Sequence, residues 1–242
     1  MQNQEMISIK VIQIGMYQFD IAILKEDMRQ TLIHLAQLTT VTLVSGRGLS
    51  DVRNMVGIRG VFYAGSHGFE ISGPGNLANE RASEYLPVLD KAELDIEQKV
   101  RSIPGAFVER KKYSIAIHFR KTPQEYISDV EMSVNQTASD YPELRKSSGK
   151  KIFELQPGLD WNKGKAILWL MKTLGLDDPN ESVPLYIGDD TTDEDAFSAI
   201  KNLGITIVVD SGQKSSASYQ LKNPQEVRQF LESVIDSMRG KA

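Results

Sequence analysis

The sequence predicts an α/β fold: a largely parallel sheet with helices between its strands, interrupted by a second, smaller α/β domain. Apolar, β-branched runs alternate with helix-period segments from residue 7 to residue 64. The order of elements changes between 70 and 157, and the first alternation then resumes from 158 onward. Strands separated by helices pair in parallel through right-handed crossovers, and ligands of such sheets bind outside the carboxyl ends of the strands.

Each element has its own warrant. Ile7, Ile9, Val11, Ile12 and Ile14 make Ile7 to Ile14 a mostly buried strand. Glu26 and Asp27 favour a helix start through the dipole, and Met28, Leu32, Leu35 and Ala36 fall on one face of that helix. Val41 to Val44 is a second strand that ends at Ser45-Gly46-Arg47. Ser50 to Val56 is a helix with Ser50 as its expected N-cap, and Val61 to Ala64 is a third strand. Beyond His67-Gly68 the pattern predicts a strand at 69–71, a helix at 80–102, strands at 106–110 and 113–119, a helix at 123–137 and a strand at 151–155. That order, β-α-β-β-α-β, is a compact sheet with two helices on one face. Residues 70–157 are therefore expected to form an insert, with 1–69 and 158–242 as the core. The core resumes with a helix from Lys163 to Thr173, a strand Pro184 to Ile187, a helix Glu194 to Ile200, a strand Ile205 to Val209 and a helix Gln225 to Ser237.

Composition narrows the functions. With 28 basic and 32 acidic residues the net charge is −4, which gives no electrostatic footprint for nucleic acid, so a small-molecule partner is expected. The absence of cysteine removes disulfides, thiolate zinc sites and cysteine nucleophiles, and agrees with a reducing, cytoplasmic compartment. The apolar runs are a handful of residues long and the start has no basic flank with an apolar core, so neither a membrane anchor nor a secretory leader is expected.

The residues richest in chemistry follow predicted strand ends. Residues 185–195 read Leu-Tyr-Ile-Gly-Asp-Asp-Thr-Thr-Asp-Glu-Asp, five carboxylates within seven residues after a buried strand. Oxygen ligands without His or Cys suit Mg²⁺, which takes only one or two protein carboxylates and keeps waters. Asp189 is the expected direct ligand. Asp193 is placed to hold a metal-bound water or the preceding loop, and the plainer alternative is an acidic loop favouring the start of the next helix. Ser45 puts a hydroxyl at a strand end beside a glycine that lets amides approach an anion, although such a pair is often only a turn. Lys163, opening a helix, could bring a point charge to a phosphate or simply be solvated. In the insert, Lys112, Ser114, Ala116, His118 and Arg120 are expected on one face of a strand, presenting donors to a polyhydroxylated ligand, with Glu154 accepting from its hydroxyls. The same residues would also suit the solvated side of an antiparallel sheet.

Taken together, VSGR at 44–47, YAGSHGFE at 63–70, ERKKYSIAIHFR at 109–120, FELQPGLDWNKGKA at 153–166 and YIGDDTTDEDAF at 186–197 resemble the trehalose-6-phosphate phosphatase family of the haloacid-dehalogenase superfamily. The resemblance runs from about residue 22 onward, and GDDTTDEDAF is its most specific part. It implies a Rossmann-like core with an inserted α/β cap that closes over a disaccharide phosphate, and Mg²⁺-dependent hydrolysis of trehalose 6-phosphate. By resemblance, Ser45 and Lys163 bind the transferring phosphoryl group, Asp189 holds Mg²⁺ with support from Asp193, and Glu70, Lys112, His118, Arg120 and Glu154 contact the sugar. Gln156 stands where related sequences tend to carry a basic residue.

One element of that pattern is absent. Members of the family use an Asp-x-Asp pair just past the first strand, one carboxylate attacking phosphorus and the other serving as acid and base. Here residues 11–20 read Val-Ile-Gln-Ile-Gly-Met-Tyr-Gln-Phe-Asp. Asp20 is followed by Ala22 where a partner would stand, and ungapped counting back from the first helix reaches Ile7 and Ile9. Three explanations stay open: a sugar-phosphate-binding or regulatory relative without turnover, an enzyme that recruits Asp20 or a metal-bound water, or a first segment that does not represent the natural protein.

Overall fold

The computed structural model describes residues 11–15, 24–149, 151–210, 212 and 214–240. The chain divides into two compact units, residues 1–79 with 161–242, and residues 80–160. Ahead of the insert come β1 (Val11–Gly15), α1 (Glu26–Ala36), β2 (Thr40–Val44), α2 (Leu49–Val56), β3 (Phe62–Gly65), β4 (Glu70–Ser72) and, at the junction, β5 (Ala78–Glu80). The insert holds α3 (Leu86–Val100), β6 (Phe107–Lys111), β7 (Ser114–His118), α4 (Ile127–Asp140), β8 (Leu144–Gly149) and β9 (Ile152–Pro157). The first unit then continues through α5 (Lys163–Thr173), β10 (Pro184–Gly188), α6 (Glu194–Ile200), β11 (Ile205–Val209), β12 (Tyr219–Leu221) and α7 (Pro224–Arg239).

The larger sheet has the order β12-β11-β10-β1-β2-β3-β4-β5. Every pairing from β12 to β3 is parallel, and β4 runs antiparallel to β3. Strand alternation divides its side chains between two cores. Val41, Leu43, Tyr63, Leu185, Ile187, Ile207 and Val209 pack against α1, α2 and α7, whereas Val44, Phe62, Ala64, Tyr186 and Val208 pack against α5 and α6. The result is the Rossmann-like three-layer core expected from the sequence. Leu35, Val52 and Val227 are fully buried in the first layer, each worth about 1.5–3 kcal/mol of transfer free energy.

The four-stranded sheet of the insert has the order β6-β7-β9-β8, antiparallel throughout. Ile115, Ile117, Phe153 and Leu155 face α3 and α4, where Leu89, Ala92, Ile96, Val130 and Val134 complete the core.

Three local expectations need revision. The strand expected to open the insert instead extends the larger sheet, with Gly65 opposite Glu70 and Tyr63 opposite Ser72, so the division falls at 80 and 160 rather than at 70 and 157. Strand β8, Leu-Arg-Lys-Ser-Ser-Gly, carries no apolar alternation. It is held because Lys146 lies over the Phe153 ring and bonds Glu131 and Asn135 of α4. Ser50 is not a cap. Helix α2 starts at Leu49 after Gly48 without a side-chain cap, and the Leu49 N–H donates to Glu70 Oε2 at 3.3 Å, so a distant carboxylate serves the helix start. Ile7, Ile9, Asp20 and Ala22 lie outside the described residues. Among the described residues no helix is long and apolar enough to cross a membrane.

Candidate active site

The chain order around β1 creates the site. From β1 the fold proceeds to β2 and β3 on one side, and after the insert to β10 and β11 on the other, so the sheet reverses its winding at β1. A crevice opens at the carboxyl ends of the strands at such a point. In register, Gly15 lies opposite Val44, and Ile14 opposite Ile187. The residues that follow are Ser45 and Gly188-Asp189, which therefore flank the exit of β1, two strand spacings or on the order of 10 Å apart.

Asp193 organises the β10 side. It is fully buried, and its carboxylate has four donors. Oδ1 accepts from Lys163 Nζ at 2.8 Å and from the Tyr186 hydroxyl, and Oδ2 accepts from the backbone N–H groups of Asp189 at 3.1 Å and Asp190 at 3.0 Å. A carboxylate has about four lone-pair sites, so this one is saturated. Burial opposes its ionisation, but the Lys163 ammonium and the hydrogen bonds outweigh burial and hold Asp193 below the usual carboxylate range. The same burial, with the Asp193 charge beside it, pushes the Tyr186 phenol well above its ordinary value, so it remains a donor. Gly188 is required by the closeness of this packing: a Cβ there would lie 2.5 Å from Asp193 Cγ. Lys163 reaches the pair from the start of α5, where Asn162 caps the helix by accepting from the Lys165 N–H at 2.9 Å.

The β2 side is held by a left-handed run. Ser66 and His67 have φ of 49° and 56°, followed by Gly68 at 91°. This places the Ser66 N–H on Arg47 O at 2.6 Å and the His67 N–H on Ser45 O at 2.9 Å. The His67 ring lies against Gly46, where a Cβ would come within 2.7 Å of it. Ser45 is buried, and its Oγ accepts from the Arg47 N–H at 3.1 Å. Glu70, expected at the sugar, accepts from Ser66 Oγ at 2.8 Å and from the Leu49 N–H at 3.3 Å.

In the insert, one face of the sheet gathers polar groups. Cross-strand pairs His118–Phe107, Ala116–Glu109 and Ala116–Glu154 put Glu109, Lys111, Ser114, His118, Glu154 and Gln156 on it. Glu154 accepts from Lys111 Nζ at 2.7 Å and from Gln156 Nε2 at 2.9 Å. His118 stacks on Phe107 at 4.4 Å, and its Nε2 lies 2.7 Å from Glu109 Oε2. Lys112 and Arg120 fall in turns at the two ends of β7 rather than on the strand, and Lys112 pairs with Glu80 at 3.0 Å.

For a divalent cation, the donor chemistry fits at Asp189. Its Oδ1 is shielded from solvent at the β10 end, and a hydrated Mg²⁺ needs only one or two protein carboxylates. Asp193 has both oxygens engaged by donors of the fold, an arrangement that suits the loop-holding role. No cluster of three metal-ligating side chains occurs among the described residues. Tyr186, Lys111 and Glu109 were not anticipated from sequence; the alternation of β10 and β6 was the one available signal for them.

The fold defines the class first. A structure titled trehalose-6-phosphate phosphatase related protein superposes with a TM-score of 0.81 at 18% identity, over 96% of this chain and all of that one. The C-terminal domain of a Candida albicans trehalose synthase regulatory protein superposes at 0.78 with 16% identity, over 93% of this chain and 94% of that one. A haloacid dehalogenase-like hydrolase from Bacteroides thetaiotaomicron superposes at 0.67 with 16% identity, over 94% of this chain and all of the other. The core is thus of the haloacid-dehalogenase type. The trehalose-phosphatase family model matches residues 16–225, and the chain belongs to that family. Probable trehalose-phosphate phosphatase C of Arabidopsis thaliana is 37% identical over 227 residues, 89% of this chain and 71% of the relative. Probable trehalose-phosphate phosphatase D of the same plant is 37% identical over 239 residues, 92% of this chain and 65% of the relative. The chain thus spans about two thirds of the length of these relatives.

Proposed function

We propose that this chain is a phosphatase of trehalose 6-phosphate, releasing trehalose and inorganic phosphate with Mg²⁺ as cofactor. The observation that carries the reading is the meeting of Ser45, the Lys163–Asp193 pair and Asp189 around the exit of β1. The names of the relatives supply the substrate. The Ser45 hydroxyl would donate to a phosphoryl oxygen, and the Lys163 ammonium, with donors beyond the one given to Asp193, would add a point charge. Asp189 would hold Mg²⁺, which when bound supplies positive charge against the phosphoryl oxygens. Lys112, His118 and Arg120 as donors, with Glu154 as acceptor, suit a hydroxyl-rich disaccharide. Asp20, the sole carboxylate between Gly15 and Glu26, is the group proposed to attack phosphorus. A cytoplasmic setting goes with this reading, supported by the absence of cysteine.

A second reading, a sugar-phosphate-binding or regulatory module without turnover, is favoured by one observation: residues 11–23 contain no Asp-x-Asp pair. Phosphate release from trehalose 6-phosphate with Mg²⁺, run beside Asp189→Asn and Asp20→Asn, separates the two. Release lost in both variants supports the enzyme with Asp20 as nucleophile. Retained binding of trehalose 6-phosphate with no release by the unaltered chain supports the silent module.

A further inference from the structure

Asp193 cannot itself contact a ligand, yet it is the most heavily bonded side chain of the first unit's site. Of its four donors, Lys163 belongs to α5 and two are the amides of Asp189 and Asp190. The fourth, the Tyr186 hydroxyl, comes from β10 itself, two residues before the strand ends at Gly188. Tyr186 is fully buried, and its ring meets Phe197 of α6 edge-on at 5.5 Å, so it has no freedom to give its proton elsewhere. The hydroxyl therefore ties the carboxylate to the strand, while the carboxylate ties the next loop to itself. With Gly188 leaving no space between strand and carboxylate, the turn from β10 into residues 189–190 has one setting.

We propose that Tyr186 is a positioning residue: acting through Asp193, its hydroxyl fixes the Asp189 and Asp190 amides and thereby the direction of the Asp189 carboxylate at the mouth. The metal-binding consequence rests on the function proposed above, whereas the loop-fixing consequence does not. Partners that orient a ligating side chain typically change metal affinity by 10- to 100-fold when removed, and a hydroxyl one step further away is expected near the lower figure.

The test compares Tyr186→Phe with Phe197→Leu, which perturbs the same core without touching the hydrogen bond. Two quantities are read: amide hydrogen exchange at Asp189 and Asp190 in the metal-free protein, and the dissociation constant for Mn²⁺ as a probe, by electron paramagnetic resonance. In Tyr186→Phe, both amides should exchange at least tenfold faster and Mn²⁺ should bind about tenfold more weakly. In Phe197→Leu, melting should fall while both readings stay at the unaltered values. Unchanged exchange in Tyr186→Phe overturns the proposal, as does equal acceleration in Phe197→Leu. Absence of Mn²⁺ binding by the unaltered chain, with the exchange result as expected, overturns the metal assignment of Asp189 and leaves Tyr186 as the loop anchor. Faster exchange with unchanged Mn²⁺ affinity overturns the link from Tyr186 to the Asp189 carboxylate.

Discussion

The two units treat polar groups in opposite ways. In the core unit, Lys163, Asp193 and Tyr186 are out of water, and their side chains are locked to one another and to backbone amides. In the insert, the pairs Lys111–Glu154, His118–Glu109 and Lys112–Glu80 are partly or largely solvated, with side-chain exposures that reach 51% at Glu109 and 47% at Glu80. A buried ion pair is costly to assemble and more costly to break, because the abandoned charge has no water to turn to. A solvated pair contributes little and can exchange partners at little cost. One region is thus built to keep a fixed geometry, and the other can exchange its internal pairs at little cost; under the proposed function the hydroxyls of a sugar would be the new partners.

The contrast breaks most visibly at Asp193. Asp193→Asn leaves the Lys163 ammonium buried without a counter-charge, and is expected to cost about 3–5 kcal/mol, on the order of 10 °C in melting temperature. Joint replacement Lys163→Met with Asp193→Leu should recover part of that loss, because no charge is then stranded although the Tyr186 hydroxyl and the Asp189 and Asp190 amides lose their acceptor. Thermal melts of the three proteins check both statements. Failure of the double variant to recover would place the stabilisation in the amide contacts of Asp193 rather than in the ion pair.

The same pair sets an acid limit. Asp193 is held below its ordinary value of 3.8 in the folded chain, so its contribution is complete above that value and is lost as the pH falls through the depressed one. Urea unfolding followed from pH 6 to pH 2 should show a stability loss below about pH 4 that is smaller in Asp193→Asn. An equal loss in both proteins would assign the acid limit to other carboxylates.

Legibility in the sequence followed the same divide. Alternation and β-branching exposed β2, β3, β7, β10 and β11, since those strands are buried and their composition answers to burial. Ser45, Lys163 and Asp189 were legible because each follows or precedes an element whose end is marked. The strand expected at 69–71 is present as β4, but its place in the larger sheet was not legible, because a three-residue strand carries no record of its partner and its pairing with β3 follows from the left-handed turn at Ser66, His67 and Gly68. Strand β8 was illegible because, past Leu144, its core-side positions hold Lys146 and Ser148, and Lys146 reaches polar groups of α4 instead of filling a core. The Tyr186 hydroxyl bond was hidden in an apolar run where a tyrosine reads as a core residue. Glu70 also accepts from Ser66 and from the Leu49 N–H, and the second is a long-range tie that no local pattern announces.

In the insert the effects should be smaller and of another kind. Glu154→Gln removes the charge facing Lys111 and is expected to cost about 1.5 kcal/mol of stability. On trehalose 6-phosphate the same change should raise KM roughly tenfold, the equivalent of about 1.4 kcal/mol, with kcat within about twofold. A fall in kcat with KM unchanged would move Glu154 from binding into the chemistry.

Lys112 offers the finest discrimination. Its ammonium sits 3.0 Å from Glu80 and 5.3 Å from the centre of the Tyr113 ring, on a side chain 42% exposed, so Lys112→Ala should alter stability by less than about 1 kcal/mol. A solvated lysine would then leave kinetics untouched as well. If the ammonium exchanges Glu80 for a sugar hydroxyl, KM should rise about threefold, and the rise should shrink with added salt because the group is open to screening. Kinetics at low and high ionic strength decide between a turn that merely carries charge and one that reads the ligand. Lys111→Ala, at the better-buried pair, should show the larger and less salt-sensitive rise if the insert grades its contacts by burial.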